Sequence, residues 1–184
     1  MCQASEPLIL RVAQPYTLNS LRFWWRSVFM QAHSLLKSCG LALHRFGFAN
    51  RAESVSRADG MMLHDCFITA AGRCAPPGNR PTPAELGNCR DFLEAEIALL
   101  RRVRLVVTLG RVAHEQWLKA SGWWERLTPA GRPGFGHGAS TVLPSGLAVL
   151  SSFHPSRQNT NTGRLTRPMW HAVFRKARRL IGVS

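Results

Sequence analysis

Residues 103–113 read VRLVVTLGRVA. The run from Val103 to Leu109 is short, leucine- and valine-rich and bounded by glycine, which predicts a buried strand; Gly110 ends it, and a helix is predicted from 111 to about 119. Working outward, residues 84–100 read as a helix with Thr82 as its N-cap, and residues 147–153 (LAVLSSF) as a second strand. Residues 167–181 read as a last helix, with Thr166 as cap and Pro168 in its first turn. CFITAA at 66–71 and LILRVA at 8–13 predict further short strands, and residues 138–142 a minor one. Leu21, Trp24, Trp25, Val28, Ala32, Leu35 and Leu36 recur at helical spacing. LALHRFGFAN at 41–50 predicts a helix end with Gly47 at its stop. Residues 122–145, rich in Gly, Pro and Trp, predict an irregular crossover. Strands alternating with helices predict an α/β layered fold with a mostly parallel sheet. In such sheets ligands bind beyond the carboxyl ends of the strands, so the loops after Ala71, Leu109 and Phe153 are expected to share one rim.

Twenty-four Lys and Arg face ten Asp and Glu, a formal charge of +14 on 184 residues. At 45% hydrophobic and 18% charged the chain is too apolar for a disordered basic tail, and its length suits one domain with a genuine core. Such an excess of positive charge favours polyanions, nucleic acid foremost. Apolar runs are broken by arginine, as at Arg22 and Arg26, well short of the roughly 20 residues of a membrane span. The first fifteen residues lack the features of a secretory signal, so a cytoplasmic location is expected. Five cysteines at irregular spacing argue against a disulfide framework and leave metal ligation or plain burial.

The segment HPSRQNTNTGRLT at 154–166 joins one imidazole to two asparagines, a glutamine, several hydroxyls and two arginines, with no carboxylate. Arginine neutralises phosphate, while amides and hydroxyls bond sugar oxygens, phosphate oxygens or base edges. The same loop could equally be a solvated connection to the last helix. That helix adds Arg175, Lys176, Arg178 and Arg179, either a solvated face or an extension of a phosphate track.

HPSRQNTNTGRLT resembles the second motif of the uracil-DNA glycosylase superfamily, in the extended form of its family-5 branch. RCAPPGNRPTPAELGNC at 73–89 resembles the cysteine-containing segment shared by the iron-sulfur families 4 and 5, and residues 41–50 and 103–113 fit the same pattern. The resemblance covers residues 41–183. It implies a three-layer α/β/α sandwich and excision of uracil or other deaminated bases from DNA by hydrolysis of the N-glycosidic bond, with a monomer acting on a base rotated out of the duplex. By its place in the motif, His154 would donate a hydrogen bond to the pyrimidine O2 as the base departs; otherwise it ends the strand and bonds a nearby carbonyl. Arg157, Asn159, Asn161 and Arg164 would form the DNA-contacting loop. Cys74 and Cys89 would be two of four thiolates around a [4Fe-4S] cluster, the other two not identifiable: Cys2 and Cys39 do not align, and Cys66 reads as core.

The resemblance is also incomplete. The family opens with an interior strand and a Gly/Ala-rich loop that positions water, and neither is recognisable here, so residues 1–40 read as a non-family segment ahead of a glycosylase-like domain at 41–184. The first family strand is then missing or replaced, and LILRVA is the one segment able to fill its place. This is what a misjoined reading frame would produce, and activity would be impaired. None of the ten carboxylates follows a strand in a Gly-rich turn, so no general base is identified. Thr69, Ala70 and Ala71 stand where some relatives carry an asparagine that reads uracil, which would loosen base selectivity. The rival readings are a catalytically inert DNA-binding or damage-sensing module of the same fold, and a zinc domain built on Cys74 and Cys89.

Overall fold

The computed structural model describes residues 7–12, 39–56, 59–72 and 81–182. Among the described residues five strands form one sheet: β1 (Pro7–Val12), β2 (Phe67–Ala70), β3 (Val103–Leu109), β4 (Ser140–Val142) and β5 (Ala148–Ser152), in the order β2-β1-β3-β5-β4. β3 and β5 pair in parallel, and β1 runs antiparallel to both β2 and β3, so β2, β3 and β5 point the same way. β4 closes the far edge, antiparallel to β5. β1, which holds the first five residues of LILRVA, therefore occupies an interior position between β2 and β3, with an irregular register at Arg11/Val12. The helix expected over residues 21–36 lies outside the described residues.

Alternation along β3 builds the two cores. Leu105, Val107 and Leu109 face α1 (described over 39–45) and α6 (Arg167–Leu180), joined by Ala148 and Leu150 of β5. Val106 and Val149 face the opposite layer, α2 (Pro83–Leu99) and α3 (Arg111–Ala120), where Leu93, Ala113, Trp117 and Leu118 are buried. A continuous apolar strand is what a sheet covered on both faces requires, so three layers follow from VRLVVTL itself. The chain is thus an α/β/α sandwich.

Local signals set the helix ends. Thr82 and Glu85 form a reciprocal capping box at the start of α2, and Thr166 caps α6. At the end of α1 the Phe48 amide donates to the Leu43 carbonyl at 2.7 Å and the Gly47 amide to His44 at 3.0 Å, with Gly47 at φ +75°, a Schellman motif. Within α1, a Cβ on Gly40 would lie 2.3 Å from the Ala52 carbonyl oxygen. Gly40→Ala is therefore expected to lower stability by about 1–3 kcal/mol, because a backbone clash outweighs the roughly 1 kcal/mol that alanine gains in a helix. A urea midpoint that rises instead would show that residue 52 yields freely.

Two expectations shift in detail. Cys66 lies one residue before β2 rather than within it, half-buried against the α1/α6 core. The loop 154–166 contains a short helix, α5 (Arg157–Asn161), started by the Ser156 hydroxyl accepting from the Asn159 amide. The 122–145 crossover holds one helical turn, α4 (Trp123–Arg126), and a 3₁₀ turn at Pro129–Gly131.

Candidate active site at the carboxyl rim of the sheet

Because β2, β3 and β5 point the same way, the segments after Ala70, Leu109 and Ser152 emerge at one rim. Residues 73–80, which include Cys74, lie outside the described residues. His154 stands two residues past β5 and is half-buried. Among the described residues no side chain hydrogen-bonds its ring. The Asn159 amide nitrogen reaches back 2.8 Å to the His154 carbonyl, fixing the backbone at that point. Burial holds the His154 pKa down at about 4, so the ring is neutral at pH 7 and keeps one N–H to donate.

That depression has a sign. An unfolded histidine takes a proton near pH 6.5 while the folded ring does so only near 4, so this contribution to stability is full above 6.5 and is lost as the pH falls to 4. After allowance for partial exposure we expect it to be on the order of 2 kcal/mol. His114 and His137 are lowered in the same direction by burial and contribute to the same window. Denaturation midpoints measured from pH 7 to 4 should fall, and less steeply in His154→Gln; identical slopes would show that this ring does not resist protonation.

The four loop residues expected to meet DNA are not equivalent. Arg157, Asn161 and Arg164 are exposed, and the Arg164 guanidinium lies 4.9 Å from the centre of the Phe153 ring. Asn159 is half-buried, and its amide nitrogen serves the loop itself. Beside this group the Phe135 ring sits 6.4 Å from Phe153 beneath the Arg111 guanidinium, 5.3 Å away. The rim thus carries two arginine-covered aromatic rings and a neutral imidazole.

Underneath runs a buried polar network that sequence reasoning missed. Register places Thr69, Leu8, Thr108 and Ser151 in one row across four strands. The Thr69 hydroxyl donates to Glu96, buried on α2. His114 on α3 has Nε2 2.8 Å from the Pro133 carbonyl, which can only accept, so Nδ1 is the acceptor for the Ser151 hydroxyl at 3.0 Å, with Thr108 at 3.2 Å. His137 lies over Phe153 with ring centres 5.0 Å apart. His137 and His114 sit in the crossover and on α3, where no local periodicity marks them; FGHG at 135–138, a histidine between glycines near an aromatic, was the available signal.

Among the described residues the three cysteines do not come together at one place. Cys39 is fully buried and neighbours Cys66 in the α1/α6 core, where burial and that second thiol push its pKa up; Cys89 is buried on α2 in the other layer. Among the described residues no group of three or more His, Cys, Asp or Glu side chains could hold a metal. These residues do not by themselves fit a four-thiolate cluster. A cavity of about 520 Å³, lined by Ile97, Leu100, Val103, Trp117, Trp123 and Leu147, lies at the amino ends of β3 and β5, opposite the rim, and His154 is not in its wall. Among the described residues no helix is long and apolar enough to cross a membrane.

By its layering this is an α/β protein of the kind that binds ligands beyond the carboxyl ends of its strands. Over residues 11–178 it matches the Uracil DNA glycosylase superfamily, and the chain belongs to that family. It is 46% identical over 141 residues to the Type-5 uracil-DNA glycosylase of Thermus thermophilus, covering 77% of this chain and 62% of that protein. The Type-5 enzyme of Mycobacterium tuberculosis is 45% identical over 144 residues, 78% and 52% respectively. A Type-4 uracil-DNA glycosylase of Archaeoglobus fulgidus is 40% identical over 55 residues, 29% and 27%. The chain spans between half and two thirds of the length of the Type-5 relatives named here.

Proposed function

We propose that this chain excises uracil or other deaminated bases from DNA by hydrolysis of the N-glycosidic bond, as a monomeric cytoplasmic repair enzyme. The observation that carries the reading is His154: a neutral imidazole, held by burial and by the Asn159 tie on its carbonyl, beside an acid-free cationic loop. A flipped pyrimidine at this rim would receive the imidazole N–H at O2 as negative charge develops on the departing ring. A neutral donor suits that charge because it need not be dehydrated as a cation before the reaction. Arg157, Asn161 and Arg164 would press the minor groove, Asn159 would hold the loop in shape, and the basic face of α6 would follow the phosphates. Residues 41–184 form the glycosylase-like unit in this reading, with β1 from the preceding segment completing the sheet.

No carboxylate is assigned to water activation. A [4Fe-4S] cluster would use Cys74 and Cys89 as two of its thiolates; iron and sulfide analysis with an absorbance band near 400 nm would establish it, as is usual for thiolate-bound clusters. No catalytic step depends on it here. The second reading is an inert DNA-binding module, in which the acid-free loop 154–166 and the basic face of α6 hold DNA without excision.

One assay separates the two. A labelled uracil-containing duplex is incubated with the protein and heated in alkali. Scission proportional to protein and lost in His154→Ala supports excision; salt-sensitive binding without scission supports the inert module.

A further inference from the structure

The loop 133–138 crosses the rim beside Phe153 and is tied down along its length. Its first carbonyl, on Pro133, accepts from His114, and the Phe135 ring packs edge-on against His114 with centres 5.8 Å apart. At its far end the Gly138 carbonyl accepts from Lys176 Nζ at 2.7 Å, and the Gly138 amide donates to the Ser151 carbonyl at 2.8 Å. Between these anchors His137 turns toward β5: its Nδ1 is 3.3 Å from the Phe153 amide nitrogen and 3.3 Å from the Ser152 hydroxyl oxygen.

An amide nitrogen can only donate, so Nδ1 of His137 is a bare acceptor and the ring proton sits on Nε2. The Phe153 amide is the first beyond β5, in a peptide whose carbonyl, on Ser152, accepts from the Gly110 amide at 2.8 Å. The next residue is His154.

We propose that His137 is a positioning residue for His154. By accepting the Phe153 N–H and packing on the Phe153 ring it holds the N–H side of the peptide that leads into His154, opposite the Gly110 bond to the Ser152 carbonyl, and the anchored 133–138 loop is its brace. This rests on the glycosylase reading above. A sub-ångström drift of the donor is enough to matter, because misplacement by about 1 Å costs on the order of 100-fold in rate.

The test compares the unaltered chain with His137→Ala and His137→Asn on a uracil-containing duplex, with amide exchange at Phe153 followed by NMR. Asparagine presents a carbonyl oxygen where Nδ1 lies. The expected result is a single-turnover rate lowered roughly 10- to 100-fold in the alanine variant with half-saturating DNA changed less than about 3-fold, and most of the rate regained with asparagine. Phe153 should lose exchange protection with alanine and keep it with asparagine. A folded alanine variant that releases base at the unaltered rate would overturn the proposal. So would a proton on Nδ1, read in the unaltered chain by long-range ¹H–¹⁵N correlation, which also serves if the alanine variant does not fold. If the unaltered chain releases no uracil, the glycosylase reading fails by itself; the brace then stands or falls on Phe153 protection and the tautomer.

Discussion

His154→Ala is expected to lower the single-turnover rate of uracil release by about 100- to 1000-fold while leaving DNA affinity within a few-fold. A fixed donor aimed at a developing anion is worth about 3–4 kcal/mol in the transition state and little in the ground state, where the carbonyl is nearly neutral. The fold should survive, because among the described residues no side chain hydrogen-bonds the ring, and the tie from Asn159 is to the backbone. His154→Gln, with an N–H donor of different reach, should fall between the two. Equal loss of binding and rate would instead mean that the ring shapes the loop.

Phe174→Ala is expected to cost about 3–5 kcal/mol of stability, read from the urea midpoint. Phe174 is 2% exposed, lies 4.9 Å from Trp170 and 6.1 Å from Phe48 in ring-centre distance, and stacks on Phe46 at 5.8 Å. It joins α6 to the segment after α1, so its removal leaves a cavity that rigid elements cannot collapse to fill. A loss under about 1 kcal/mol would show that the α1 end is not packed as described.

What the sequence makes legible follows the range of each interaction. VRLVVTL, Thr82 as N-cap, Gly47 as helix stop and Thr166 as cap are local, each decided within a few residues, and each stands in the structure. LILRVA reads as a strand, but an apolar run on both faces carries no mark of direction, so its antiparallel placement between β2 and β3 is set by neighbours far along the chain. α5 has no apolar periodicity to announce it; the Ser156 cap starts it and the Thr160 amide bond to the Ser156 carbonyl closes its turn. His154 was visible through its motif. His114 and His137 were not, because their partners lie across the sheet, 37 and 15 residues away at Ser151 and Ser152. Charge alone likewise did not distinguish Asn159, turned inward, from the exposed Arg157, Asn161 and Arg164.

Direct detection of the freed base by mass spectrometry, after this chain meets a duplex carrying a single uracil, bears most closely on the account. The prediction is free uracil in step with abasic strand, accumulating at a rate set by protein concentration. Intact uracil strands in samples where the protein demonstrably occupies the DNA would contradict it.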